Sequence, residues 1–200
     1  MGISEFRGRK AELKLLDELW SMPRSTLLIL YGRRRVGKTR LLTHWSNNHS
    51  ADSMYWVAEP TSAYDQLRSF SQALYNFSHP DTPAPLEFTY ATWEQAFQQV
   101  ARISQERRLA LFIDEVTYLI DVDPKIVGVL QKVWDHHLSS ANLFMALSGS
   151  QMGLMQKQML SYEAPLYGRA TAQVKLPPLP FDVTPEFFPQ YGSKERIAIY

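Results

Sequence analysis

Apolar positions along the chain follow two different periods. Short apolar or alternating stretches occur at Thr26-Leu-Leu-Ile-Leu-Tyr31, Met54-Tyr-Trp-Val-Ala58, Leu109-Ala-Leu-Phe-Ile113, Asn142-Leu-Phe-Met-Ala-Leu147 and Ala172-Gln-Val-Lys-Leu176. Stretches of this length predict five strands, most of them buried on both faces. Between them the spacing changes to three and four residues. Leu13, Leu16, Leu19 and Trp20 predict a helix entered through Phe6-Arg7-Gly8-Arg9; Leu41, Leu42 and Trp45 predict one over 38–48. Leu67, Phe70, Leu74 and Phe77 predict a helix over 64–77, and Trp93, Ala96, Phe97, Val100 and Ile103 predict one over 92–108. Asp123-Pro124 reads as the N-cap and first-turn pair of a helix that buries Ile126, Val127, Leu130, Val133 and Trp134. Strands alternating with helices predict an α/β fold with a parallel sheet.

Prolines punctuate this order. Pro23 and Pro60 close elements, and three prolines between His79 and Pro85 force a surface loop. Pro177-Pro178-Leu179-Pro180 ends the last strand, which sets residues 1–180 apart as one domain and 181–200 as a connector. Ser193 to Tyr200 begins another apolar helix face, so a further segment is expected to follow.

Two hundred residues at 45% hydrophobic content suffice for one substantial core. The net charge is +1, yet the first fifty residues hold ten Lys/Arg against four Asp/Glu. That excess is local to one stretch and does not describe a general nucleic-acid surface. With no cysteine, disulfide frameworks, thiolate metal sites and cysteine nucleophiles are excluded. The first seven residues lack an apolar signal core, and no run approaches the roughly 18 residues of a membrane span. A soluble cytoplasmic protein without a membrane partner is expected.

The basic stretch carries the chemistry. Gly32-Arg33-Arg34-Arg35-Val36-Gly37-Lys38-Thr39 fits G-x-x-x-x-G-K-[ST], the phosphate-binding P-loop, with a strand before it and a helix after it. Glycines free the backbone to turn successive N–H groups inward around a phosphate, and the helix beginning near Lys38 adds the positive end of its dipole. Lys38 is then placed to reach the β and γ phosphates of a nucleotide, and the Thr39 hydroxyl to ligate Mg²⁺. The candidate nucleotide-contacting stretch runs from Gly32 to Arg40; Arg33, Arg34 and Arg35 occupy its variable positions, where solvated side chains fit equally well.

A second stretch, Leu109 to Glu115, ends an apolar run in two acids, at the strand end where open α/β sheets bind ligands. Asp114 is the candidate Mg²⁺ partner of Thr39, and Glu115 the candidate general base for an attacking water. Ser148 or Ser150, at the tip of the fourth strand, could contact the γ-phosphate or cap the next helix. Arg169 could supply positive charge to a phosphoryl transition state, in cis or across a subunit boundary, or be an ordinary structural arginine. His136 and His137 lack further ligands at metal spacing and read as helix-end residues.

Phe6-x-Gly8-Arg9-x-x-Glu12, Gly32 to Thr39, Leu111-Phe-Ile-Asp-Glu115, Ser148-Gly-Ser150 and Leu166-Tyr-Gly-Arg169 together resemble the archaeal-type P-loop ATPase family, related to the STAND and AAA+ groups. The resemblance implies a three-layer P-loop NTPase with a five-stranded, mainly parallel sheet flanked by helices, the P-loop and acidic strands being adjacent. It implies ATP and Mg²⁺ as cofactors, Gly8 and Arg9 on the adenine side, a sensor among Ser148 to Ser150, and Arg169 near the phosphates. It further implies helical, winged-helix or nuclease-like domains beyond the stretch seen here, through which DNA, a protein partner or a second copy could be engaged.

The leading expectation is Mg²⁺-dependent ATP hydrolysis coupled to conformational change. A nucleotide-gated switch with little intrinsic turnover is the main alternative. A constitutive DNA-binding module and a small-molecule kinase stand behind it.

Overall fold

The computed structural model describes residues 6–49 and 51–199. Five parallel strands form one sheet: β1 (Thr26–Tyr31), β2 (Asp52–Val57), β3 (Leu109–Asp114), β4 (Leu143–Gly149) and β5 (Ala172–Lys175), in the order β2-β3-β4-β1-β5. The P-loop strand β1 and the acidic strand β3 are therefore not neighbours, contrary to what the resemblance implied. β4 lies between them, with Ile29 opposite Leu147 and Leu147 opposite Ile113.

The period-two rule sorts the core into two layers. From β1, β3 and β4, residues Leu27, Ile29, Leu111, Ile113, Met145 and Leu147 face one side and pack on α3 (Ala63–Ser78), α4 (Trp93–Glu106), α5 (Val116–Val122) and α6 (Ile126–Val133). Leu28, Leu30, Phe112, Phe144 and Ala146 face the other and pack on α1 (Lys10–Ser21) and α2 (Lys38–Asn48). Trp45 of α2 meets Phe112 and Phe144 edge-on, at ring centroid distances of 5.8 and 5.5 Å. Each such side chain, fully buried, stabilises the fold by about 1.5–3 kcal/mol.

The chain differs from expectation between β3 and β4. A helix, α5, starts directly after Glu115, and α6 begins at Ile126 rather than at Asp123. Asp123 acts one step earlier, its Oδ1 accepting from the Lys125 N–H at 3.2 Å in the turn that joins the two helices. After β4 a short helix, α7 (Met152–Met155), and a wider turn over Gln156–Leu160 bury Met155, Met159 and Leu160. Beyond β5 the proline connector returns to the domain. A turn over Phe181–Val183 leads to α8 (Thr184–Phe187), where Glu186 accepts from the Gly8 N–H at 2.9 Å; α9 (Ser193–Ile199) is the last element. Tyr200 lies outside the described residues.

Candidate functional site

The site forms where β1, β3 and β4 deliver their carboxyl ends to one edge of the sheet. α2 starts at Lys38 behind Gly37, whose φ of 99° is open to glycine and disfavoured for residues with a Cβ. Gly32 is small for a different reason: a Cβ there would lie 2.4 Å from the Leu176 carbonyl oxygen at the end of β5. Arg9 pins the loop from outside, its guanidinium donating to the Val36 carbonyl at 3.0 Å and the Pro177 carbonyl at 2.6 Å while pairing with Glu12 at 3.0 Å. Loop, first helix and proline connector thus share one buried cation.

Lys38 is buried and donates to the carbonyls of Gly32 at 3.0 Å and Arg33 at 3.3 Å. Burial pushes its ammonium below the ordinary lysine range, opposed by the charges of Glu115 and Asp114. Arg34 adds repulsion to the same ammonium and donates to the Tyr118 hydroxyl at 2.7 Å. Arg33, Arg34 and Arg35 are all exposed; Arg35 holds a φ of 66° within the loop.

Asp114 holds four hydrogen bonds. Its Oδ2 accepts from the Thr39 hydroxyl at 2.6 Å and from the Tyr55 hydroxyl; its Oδ1 accepts from the Ser148 hydroxyl and from the Glu115 N–H at 2.9 Å. At 1% exposure the carboxylate has exchanged water for four protein donors. Burial, reinforced by the hydrogen bond to Asp114 and that carboxylate's charge, raises the Tyr55 hydroxyl far above the ordinary phenol range, so it serves as a neutral donor. Glu115 follows with a left-handed φ of 50°, which turns its side chain out of the strand line. Its Oε2 accepts from the Ser150 hydroxyl at 2.7 Å and the Ser150 N–H at 3.2 Å.

Two adjoining cavities frame these groups. One, of about 420 Å³, is lined by Arg34, Arg35, Gly37, Lys38, Thr39, Arg40, Thr43 and Glu115. The other, of about 190 Å³, shares Arg35, Gly37 and Arg40 and has Phe6, Arg9, Val36, Leu179 and Phe187 in its wall. A cavity of about 310 Å³ lies farther along the same sheet edge, between the end of β2 and α3.

The expected residues therefore converge, with one exception and one division of roles. Arg169 stands three residues before β5, and β5 runs parallel to β1 with Ala172 opposite Leu28 and Lys175 opposite Tyr31. It lies at the amino end of the sheet, roughly 20 Å along the strands from the P-loop at about 3.3 Å per residue. There it forms a two-pronged pair with Asp135, both contacts at 2.7 Å, and donates to the Pro165 carbonyl at 2.8 Å. That pair holds the Asp135 carboxyl below the usual carboxylate range. Within one chain Arg169 is thus a strap for the loop before β5 and not a phosphate contact. The two serines divide: Ser148 is wholly buried against Asp114, whereas Ser150 grips Glu115 at the cavity wall.

Sequence reasoning missed Tyr55 altogether. Its only signal was membership of a strand, because its hydroxyl meets Asp114 through the β2–β3 pairing, with Tyr55 opposite Phe112 and Val57 opposite Asp114.

A parallel five-stranded sheet whose P-loop helix and acidic strand meet through Thr39 and Asp114 defines a P-loop NTPase. Residues 6–198 match the family described as an ATPase domain predominantly from Archaea, and the chain belongs to that family. An uncharacterized protein of Methanocaldococcus jannaschii is 31% identical over 195 residues, covering 98% of this chain and 41% of that protein. Among solved structures, the Walker-type ATPase of Pyrococcus abyssi is similar with a TM-score of 0.66 at 24% identity, over 92% of this chain and 57% of that one. The ORC2 protein of Aeropyrum pernix, solved in ADPNP–ADP complexes, gives a TM-score of 0.65 at 13% identity, over 94% and 52%. The chain thus spans between two fifths and three fifths of the length of these relatives. Among the described residues no helix is long and apolar enough to cross a membrane.

Proposed function

We propose that this domain binds ATP together with Mg²⁺ and hydrolyses it by attack of water on the γ-phosphate. The observation that carries the reading is the bond between the Thr39 hydroxyl and the Asp114 carboxylate, 75 residues apart in sequence and 2.6 Å apart in space, beside Lys38 and Glu115.

The cavity between Arg34, Lys38 and Glu115 takes the triphosphate. The amides of the loop and of the first turn of α2 point toward its anionic oxygens. Lys38, which spends its hydrogen bonds on the loop's own carbonyls, redirects them to the β and γ oxygens. Its depressed basicity recovers as phosphate charge arrives. The smaller cavity, with Phe6, Val36, Leu179 and Phe187 in its wall, receives the base, and Arg9 fixes the position of that wall.

A hydroxyl beside a carboxylate is a hard-oxygen donor set, which suits Mg²⁺ and not the softer transition metals. Thr39 and Asp114 would hold the ion, which supplies charge neutralisation at the phosphates when bound. Glu115, oriented by the two donors of Ser150, accepts a hydrogen bond from the attacking water and takes its proton as the bond to the γ-phosphorus forms and the bond to the β–γ bridging oxygen breaks, with ADP and phosphate as products. Ser148 acts behind this chemistry by holding Asp114.

Calorimetric titration of ATP into wild type and Lys38→Ala tests the first half of the reading. Binding in wild type with loss of at least tenfold in the variant is expected; equal affinity would reject the P-loop as the site.

A further inference from the structure

We infer that Tyr55 is a positioning residue for the metal: its hydroxyl occupies the place on Asp114 that the hydration shell of a bound divalent cation must take, so it sets how tightly the ion is held. This rests on the proposed nucleotide-metal site and adds a residue to it.

A carboxylate has about four lone-pair positions, two on each oxygen. Asp114 has all four filled: Ser148 and the Glu115 N–H on Oδ1, Thr39 and Tyr55 on Oδ2. A cation held by the Thr39 hydroxyl would draw on the oxygen that hydroxyl is bonded to, Oδ2, and would need acceptor capacity there. One donor has to yield. The Glu115 N–H is backbone and cannot leave without unmaking the turn at Glu115. The Ser148 hydroxyl is wholly buried in β4 and sits on the other oxygen. Thr39 is itself the metal-side hydroxyl.

Tyr55 remains. It is half-buried on β2, an edge strand of the sheet. A turn about its Cα–Cβ bond moves the hydroxyl off Oδ2 at the expense of some side-chain packing, while the backbone pairing of β2 with β3 stays intact. While it stays, it keeps a buried carboxylate satisfied in the absence of metal, which an unpaired lone pair there would not.

The sign of the effect follows. Removing only the hydroxyl, as in Tyr55→Phe, frees one position on Oδ2 and spares the incoming ion the breaking of a charge-assisted bond. Divalent-ion affinity in the nucleotide complex is expected to rise about tenfold, at the lower end of what such bonds contribute. If Tyr55 instead merely braced Asp114, its loss would weaken the ion or leave it unchanged.

The probe is Mn²⁺, whose free fraction is read by electron paramagnetic resonance in the presence of saturating ADP, with no turnover involved. Wild type, Tyr55→Phe, Ser148→Ala and Asp114→Asn are compared, each checked for an unchanged urea midpoint or corrected for its loss. Support consists of Mn²⁺ bound by wild type, lost in Asp114→Asn, tightened about tenfold in Tyr55→Phe and not tightened in Ser148→Ala. ADP affinity measured in EDTA stays the same for wild type and Tyr55→Phe. Equal or weaker Mn²⁺ binding in Tyr55→Phe overturns the inference while leaving the metal site standing. Equal tightening in Ser148→Ala also overturns it, because the effect would then be a general rise in carboxylate basicity and not release of Oδ2. Failure of wild type to bind Mn²⁺ with ADP, or its retention in Asp114→Asn, removes the metal site and the inference together.

Discussion

Replacing Gly32 by alanine is expected to injure the domain through contact and not through backbone conformation. The added Cβ would lie 2.4 Å from the Leu176 carbonyl oxygen, about 1 Å inside the 3.4 Å at which ordinary contact begins. The oxygen belongs to backbone that cannot rotate away: the Leu176 N–H is bonded to the Tyr31 carbonyl at 2.7 Å, tying the end of β5 to the start of the loop. Relief must lengthen that bond or tilt the P-loop. Overpacking of this kind costs about 1–3 kcal/mol, and the loss of glycine's freedom in the unfolded chain returns about 0.4–1 kcal/mol. A net destabilisation of roughly 1–2 kcal/mol remains, which for a domain of this size lowers the urea midpoint by about half to one molar. Adding Val36→Ala relieves only the lesser 3.3 Å contact with its Cγ2 and does not restore the midpoint. Gly37→Ala offers the contrast. No atom lies within 4 Å of its Cβ, so its cost of about 1–2 kcal/mol arises from a φ of 99° alone. A Gly32→Ala midpoint within about 0.2 M of wild type would refute the steric argument.

Arg169→Ala is expected to leave ATP affinity unchanged and to lower stability by about 0.5–1 kcal/mol, since its pair with Asp135 is part-exposed; a tenfold loss of ATP affinity in monomeric protein would contradict its placement at the amino end of the sheet. Because the pair depresses the Asp135 carboxyl, its stabilisation is complete above the ordinary value of about 3.9 and is lost as pH falls through the depressed value, so wild type and Arg169→Ala should converge in acid. Lys38 carries the opposite signature: in the proposed site it binds phosphate as the cation, and burial makes it release its proton below the ordinary lysine range. ATP affinity should therefore fall as pH rises, beginning below the range in which an ordinary lysine loses its proton, and an equal fall in Lys38→Ala would show that another group is responsible. Arg9→Ala removes donors from the Val36 and Pro177 carbonyls and strands Glu12; a loss of about 2–3 kcal/mol in a urea melt is expected, with weakened binding of adenosine nucleotides.

What the sequence revealed and what it hid divide along a physical line. The P-loop, the buried strands and the acids after Ile113 were legible because each is written in consecutive residues whose chemistry and period are local. Helix α2 falls over 38–48 as its periodicity predicts, and all five strands appear, shifted by no more than two residues at either end. Strand order was not local. The insertion of β4 between β1 and β3 depends on how helices cross the sheet, and no residue announces it. Tyr55 was hidden for the same reason, since only the β2–β3 register brings its hydroxyl to Asp114. Arg169 shows the converse hazard. A motif can be legible while its location is not, because a residue just before a parallel strand and one just after it stand at opposite edges of the sheet. The helix α5 escaped notice because seven residues give periodicity too little length to register.

The central claim is that Glu115 activates water against a nucleotide held by Lys38. Single-turnover hydrolysis of ATP with Mg²⁺, measured in wild type and Glu115→Gln with bound nucleotide counted in the same samples, tests it most directly. Equal ATP binding with a rate reduced about 10²–10⁴-fold in Glu115→Gln is expected. Full turnover by the variant at equal occupancy would contradict the assignment.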